Sequence, residues 1–78
     1  MTADEITPHL NQYVSLVIPM HRRTSMSIGG DLFSFEHETT KETMYCVSTN
    51  GTSFIFPLND IHAIETSITR GIVVRLTN

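Results

Sequence analysis

The apolar positions of the 78-residue chain change their period once, near Tyr13. Before that point Ile6, Leu10 and Tyr13 or Val14 recur at spacings of three and four, the narrow stripe of an amphipathic helix. Thr2 followed by Glu5 has the form of a capping box, and the early acids Asp4 and Glu5 suit the positive end of a helix dipole. Pro8 works against a long regular helix, so Thr2–Tyr13 is expected to hold about one to three turns. A start near Thr7, with Pro8 at the first helical position, is the other solution.

After Tyr13 the pattern becomes that of strands. Tyr13-Val14-Ser15-Leu16-Val17-Ile18 is rich in β-branched residues, and Pro19 ends that strand or places it at an edge. Arg22 and Arg23 fall in a turn. Ser25–Phe35 reads as a second strand, with a bulge at Gly29-Gly30 that lets it curl over the core. His37–Glu42 is polar and reads as a solvated loop. Met44–Thr49 and Thr52–Pro57 flank Asn50-Gly51, the residues of a two-residue type I′ hairpin. Counting outward from that turn pairs Val47 with Phe54 and Tyr45 with Phe56 on one core-facing surface. Phe33 and Phe35 are assigned to the core as well. Leu58-Asn59-Asp60 makes a short turn, Ile61–Glu65 follows, a polar corner runs through Ser67, and Arg70–Leu76 is the last strand. The expected architecture is mainly β: a short N-terminal helix followed by a five- or six-stranded antiparallel barrel, one domain over residues 1–78.

Composition narrows the setting. Hydrophobic residues make up 40% and charged residues 17%, enough for one thin core. The uncharged run Leu10–Met20 is too short and too polar to span a bilayer, so no membrane is expected. Asp4 and Glu5 stand where a signal peptide carries base, and the single Cys46 has no internal disulfide partner. Both features point to a reducing compartment, cytosolic or nuclear, with the cytoplasm as the expected setting. The net charge of −3, with five Lys and Arg in all, does not favour nucleic acid at long range.

Candidate chemistry is sparse. His9, His21, His37, Cys46 and His62 lie nine or more residues apart in succession, without the close pair of a structural zinc site, so no metal is expected. Alternation about Ile61 and Ala63 turns His62 away from the core. Cys46 sits inside a strand, where a buried, inert thiol is the commoner outcome. Gly29-Gly30-Asp31 lacks the downstream glycine and strand–turn–helix setting of a phosphate loop. Neither a catalytic constellation nor a cofactor is implied. Binding surfaces remain: Arg22 and Arg23 beside His21, flanked by Met20 and Met26, and Arg70 with Arg75 near the end of the chain.

The order of segments resembles the Sm-like (SH3-like) barrel family, Hfq included. A short helix leads into Tyr13–Ile18. Gly30-Asp31-Leu32-Phe33-Ser34-Phe35-Glu36, Tyr45-Cys46-Val47-Ser48, Phe56-Pro57-Leu58-Asn59-Asp60-Ile61-His62-Ala63-Ile64 and Ile68-Thr69-Arg70-Gly71-Ile72-Val73-Val74 then follow. Glu36 stands where that family carries Asp after the phenylalanine, and His37-Glu38-Thr39-Thr40 supplies no Asn for a base pocket. In length and charge the chain is more similar to the Rof family, inhibitors of the termination factor Rho, which bind a protein's RNA site. That resemblance implies a non-catalytic regulator or adaptor that binds a protein partner, a basic RNA-binding protein such as a transcription termination factor. Asp4, Glu5, Glu36, Glu38 and Glu42 are then the contact residues. Direct RNA binding by an oligomeric ring through Arg22, Arg23, Arg70 and Arg75, and a small structural subunit of a larger assembly, are the alternatives.

Overall fold

A computed structural model describes residues 1–77. The helical start is short: α1 (Ala3–Ile6) passes into a 3-10 turn at Thr7–His9 that contains Pro8. The Thr2 hydroxyl bonds the Glu5 carboxylate at 3.4 Å, not a backbone N–H, so the capping box is not completed. Thr7 donates its hydroxyl to the Ala3 carbonyl at 2.8 Å and closes the turn. This segment is held to the sheet by Ile6, which is fully buried, and by Leu10 packed on the core. Backbone bonds add to it: Asn11 N–H donates to Leu32 O at 2.7 Å, and Leu32 N–H to Gln12 O at 3.0 Å.

Six strands follow: β1 (Tyr13–Pro19), β2 (Ser25–Glu36), β3 (Thr43–Thr49), β4 (Thr52–Pro57), β5 (Ile61–Ser67) and β6 (Gly71–Leu76). They form one sheet in the order β4-β3-β2-β1-β6-β5. Two expectations are corrected here. The sheet is open, with β4 and β5 as its edges, and is not closed into a barrel. Nor is it wholly antiparallel, because β6 returns beside β1 in parallel, Val14 opposite Ile72 and Leu16 opposite Val74. Parallel return places the apolar run of β6 beside that of β1, so Val14, Leu16 and Val74 join one core.

β2 is the spine of the sheet. Ser25 to Asp31 pair with β1, and Asp31 to Glu36 pair with β3, so the strand changes partner at Asp31. The register through Gly29 and Gly30 is continuous, and the bulge expected there is absent. The glycines serve close approach instead. A side chain at Gly30 would collide with the Ser48 carbonyl oxygen and Val47 of β3, and one at Gly29 would collide with the Tyr13 hydroxyl. The register shift that does occur lies between Ile61 and Ala63 in β5, at His62, which is exposed.

The hairpin β3–β4 pairs as its turn dictates, Val47 with Phe54 and Tyr45 with Phe56. Asn50 and Gly51 have φ of 48° and 81°, the left-handed values of that turn. Tyr45, Val47 and Phe56 are buried, Phe54 packs beside them, and the Tyr45 and Phe56 rings stack with centroids 6.4 Å apart. Leu32 from β2, Val14 and Leu16 from β1, Ile61 from β5 and Val74 from β6 complete the core with Ile6. No helix among the described residues is long and apolar enough to cross a membrane.

Candidate functional site

Pairing that buries Leu32, Tyr45, Val47 and Phe56 on the inner face sends their neighbours outward. On the outer face of β2–β3–β4, Phe33 lies opposite Cys46 and Cys46 opposite Ile55. The next row is Phe35, Met44 and Pro57. Phe33, Phe35 and Ile55 are 39%, 41% and 58% exposed, so the assignment of both phenylalanines to the core is corrected. Cys46, expected to be a buried thiol, is half-buried between Phe33 and Ile55. Directly opposed side chains sit about 5 Å apart at Cβ, which makes these rows one continuous apolar strip.

Polar rows bound the strip at both ends. Toward the hairpin turn, Asp31, Ser48 and Ser53 lie opposite one another, and the two serine hydroxyls are 3.0 Å apart. Toward the other end stand Glu36 and the loop carrying Glu38 and Glu42. That loop is braced by its own backbone: His37 N–H donates to Glu42 O at 2.8 Å, and Lys41 N–H to His37 O at 3.0 Å. The His37 Nδ1 accepts from the amides of Thr39 and Thr40 at 3.2 and 3.3 Å. Lys41 reaches Glu36 at 3.9 Å with both side chains largely exposed, a weak pair that leaves the loop acidic. Glu38 and Glu42 are therefore carried by the loop at that end of the strip, and Glu36, opposite Thr43 one row beyond Phe35, alternates to the other face beside the same loop. Asp4 and Glu5 lie on α1, and no ion pair or hydrogen bond joins them to that loop among the described residues.

The outer face of β1–β6–β5 is built differently. Val17 and Val73 are buried there, outside the main core cluster. Arg75 lies opposite Val17 on one side and Ala63 on the other, and its guanidinium is ion-paired to Glu65. Arg70 donates from its guanidinium to the Ser27 hydroxyl at 2.9 Å, and Ser27 lies opposite Val17. The structure thus brings Arg70 and Arg75 to one row and engages both with neighbours. Arg22 and Arg23 stand apart in the exposed β1–β2 turn, with left-handed φ of 62° and 64°.

Other chemistry is thin. An open cleft of about 290 Å³ is lined, among the described residues, by Pro19, His62, Leu76 and Thr77, of which His62 carries the titratable side chain. Among the described residues no group of three or more His, Cys, Asp and Glu side chains converges to hold a metal ion.

The sequence pattern put Phe33 and Phe35 on the wrong face and did not single out Asp31 and Ile55 as their surface neighbours. The signal was present in part. Once Val47 and Tyr45 face inward, Cys46 and Met44 face outward, and so does any residue of β2 that pairs with them. What was lacking was the register of β2 on β3, which no local turn dictates. Comparison with protein-family models, curated proteins and solved structures finds no match to this chain, so the site rests on its own geometry.

Proposed function

We propose that the chain is a non-catalytic binding module that docks a protein partner on the outer face of β2–β3–β4. Phe33 and Phe35 are the apolar anchors, and Glu36, Glu38 and Glu42 meet basic residues of the partner. The observation that carries this reading is the strip itself: large apolar side chains in adjacent rows, exposed on one face and bounded by acids. Contiguous exposed apolar surface rimmed by charge is the usual form of a protein-binding site, and aromatic anchors dominate the energy of such sites. Acidic rims accelerate association with a basic surface and make it sensitive to salt. An RNA-binding protein, a transcription termination factor being one such, offers a surface of that kind.

Charge also argues against using the phenylalanines as a platform for nucleic-acid bases. Base-stacking grooves combine aromatics with basic residues that track the phosphates. Here Asp31 shares the outer face with Phe33 and Phe35, Glu36 follows them in the chain, and from Ser25 to Pro57 the one lysine or arginine is Lys41, weakly paired with Glu36. Direct RNA binding keeps one supporting observation, the approach of Arg70 and Arg75 on the opposite half of the outer face.

Affinity capture from the source cell, with and without ribonuclease, tests the proposal. The expected result is a basic protein that survives nuclease on the wild-type chain and is lost on a Glu36→Lys, Glu38→Lys, Glu42→Lys variant. Co-purified RNA alone, or a partner indifferent to charge reversal, contradicts it.

A further inference from the structure

The two edges of the sheet are unlike. At β5 the edge is broken by the register shift at His62 and carries Glu65, whose carboxylate is held by Arg75. Bulges and charges of this kind are how sheet edges are kept from pairing. At β4 neither device is present. Thr52-Ser53-Phe54-Ile55-Phe56-Pro57 contains no charged residue, its register on β3 is regular, and the only interruption is Pro57 at its end.

The hairpin turn settles which groups of β4 are unpaired. In a two-residue hairpin the residues flanking the turn, Thr49 and Thr52, form a hydrogen-bonded pair. Thr52, Phe54 and Phe56 therefore direct their backbone groups at β3, while Ser53 and Ile55 direct theirs outward. Ile55 is also the most exposed large apolar residue of the strip.

We propose that β4 is a self-pairing edge, and that a second copy of this chain adds antiparallel to it about a two-fold axis at Ile55. Centring on Ile55 makes that residue a hydrogen-bonded pair with its counterpart, each amide donating to the other's carbonyl. The same register sets Phe54 opposite Phe56 of the second copy, both on the core-facing side, and Ser53 opposite Pro57. Pro57 has no N–H to give, but its carbonyl accepts the Ser53 amide. Side chains match as well: Ile55 meets Ile55 on the outer face, where each copy alone leaves it in water. The strand's match to itself singles out this partner: in this register Phe54, Ile55 and Phe56 meet apolar counterparts, and the edge carries no charge to repel a copy. Antiparallel addition holds the two acidic Glu36–Glu42 loops at opposite ends, apart from one another. The residual repulsion between two chains of net charge −3 is long-range, so salt strengthens this association. Docking of a basic partner at Phe33 and Phe35 is weakened by salt, which separates the two interactions in one titration.

Sedimentation equilibrium and amide hydrogen exchange, each over a range of protein concentrations, provide the test. The expected mass rises to twice that of one chain, and Ile55→Lys raises the dimer dissociation constant by about tenfold or more. In the wild-type chain the Ser53 and Ile55 amides gain protection as concentration rises, whereas those of Phe54 and Phe56 are protected throughout. This exchange pattern is read without any variant, so it stands even where the lysine destabilises the fold. A mass of one chain at all concentrations, a ring of higher order, or Ser53 and Ile55 amides indifferent to concentration overturns the proposal.

Discussion

The two halves of the outer face are built from the same alternating strands and end up chemically opposite. Across β1–β6–β5, Val17 and Val73 are buried, and the arginines beside them are engaged with Glu65 and Ser27. Across β2–β3–β4, Phe33, Phe35 and Ile55 stay open, and the acids stand at the margins without crossing the strip. Long basic side chains can lay their methylenes over apolar neighbours while keeping their charge in water. Arg70 and Arg75 are placed to do this on one half, and the other half has no such residue within it. Small sheets expose some apolar surface in any case, and Tyr13 and Ile68 are open elsewhere, but on β2–β3–β4 the exposed Phe33, Phe35 and Ile55 share adjacent rows, and that clustering is the argument for a docking face.

Variants can break or sharpen the contrast. The largest effect belongs to the shared inner face: Leu16→Ala, at a fully buried position, should cost about 2–5 kcal/mol in chemical denaturation. Gly30→Ala comes next, at about 1–3 kcal/mol, because its methyl meets the β3 backbone at Ser48. Gly29→Ala should cost much less, since the obstacle there is the far end of the Tyr13 side chain, which can swing aside. On the sealed half, Val73→Ala should lose about 1–2 kcal/mol, close to the value of the methyl groups it removes from cover. Glu65→Gln should lose only about 0.2–1 kcal/mol in the same assay, since the Arg75 pair is half exposed. A cost for Val73→Ala no larger than that of Glu65→Gln would dissolve the distinction between sealed and open halves.

How much of this was legible in the sequence depended on range. The β3–β4 hairpin was read to the residue pair, because Asn50-Gly51 dictates the register of everything within a few residues of it. The change of period at Tyr13, the turn at Arg22 and Arg23, and the solvated His37–Glu42 loop were equally local and came out as expected. The parallel return of β6 beside β1 was not readable, because those strands are separated by most of the chain and no turn connects them. Closure was not readable for the same reason: it depends on how far the sheet coils, not on the composition of any strand. Gly29-Gly30 shows a subtler failure. The glycines were rightly taken as a backbone signal, but their cause is the approach of Ser48 and Tyr13 from other strands, and the break in register falls at His62. At the candidate site, the carboxylates Glu36, Glu38 and Glu42 were found from sequence, whereas the phenylalanines that give them a purpose were assigned to the wrong face.

The most direct test of the docking face pairs thermal melting with binding for one double variant, Phe33→Ser with Phe35→Ser. Both rings are partly covered by their cross-strand neighbours, so the double variant should lose about 1–3 kcal/mol and melt lower than the wild-type chain while remaining folded. The account predicts loss of the captured partner at temperatures where the variant is fully folded. A folded variant that still holds its partner at wild-type affinity would contradict it.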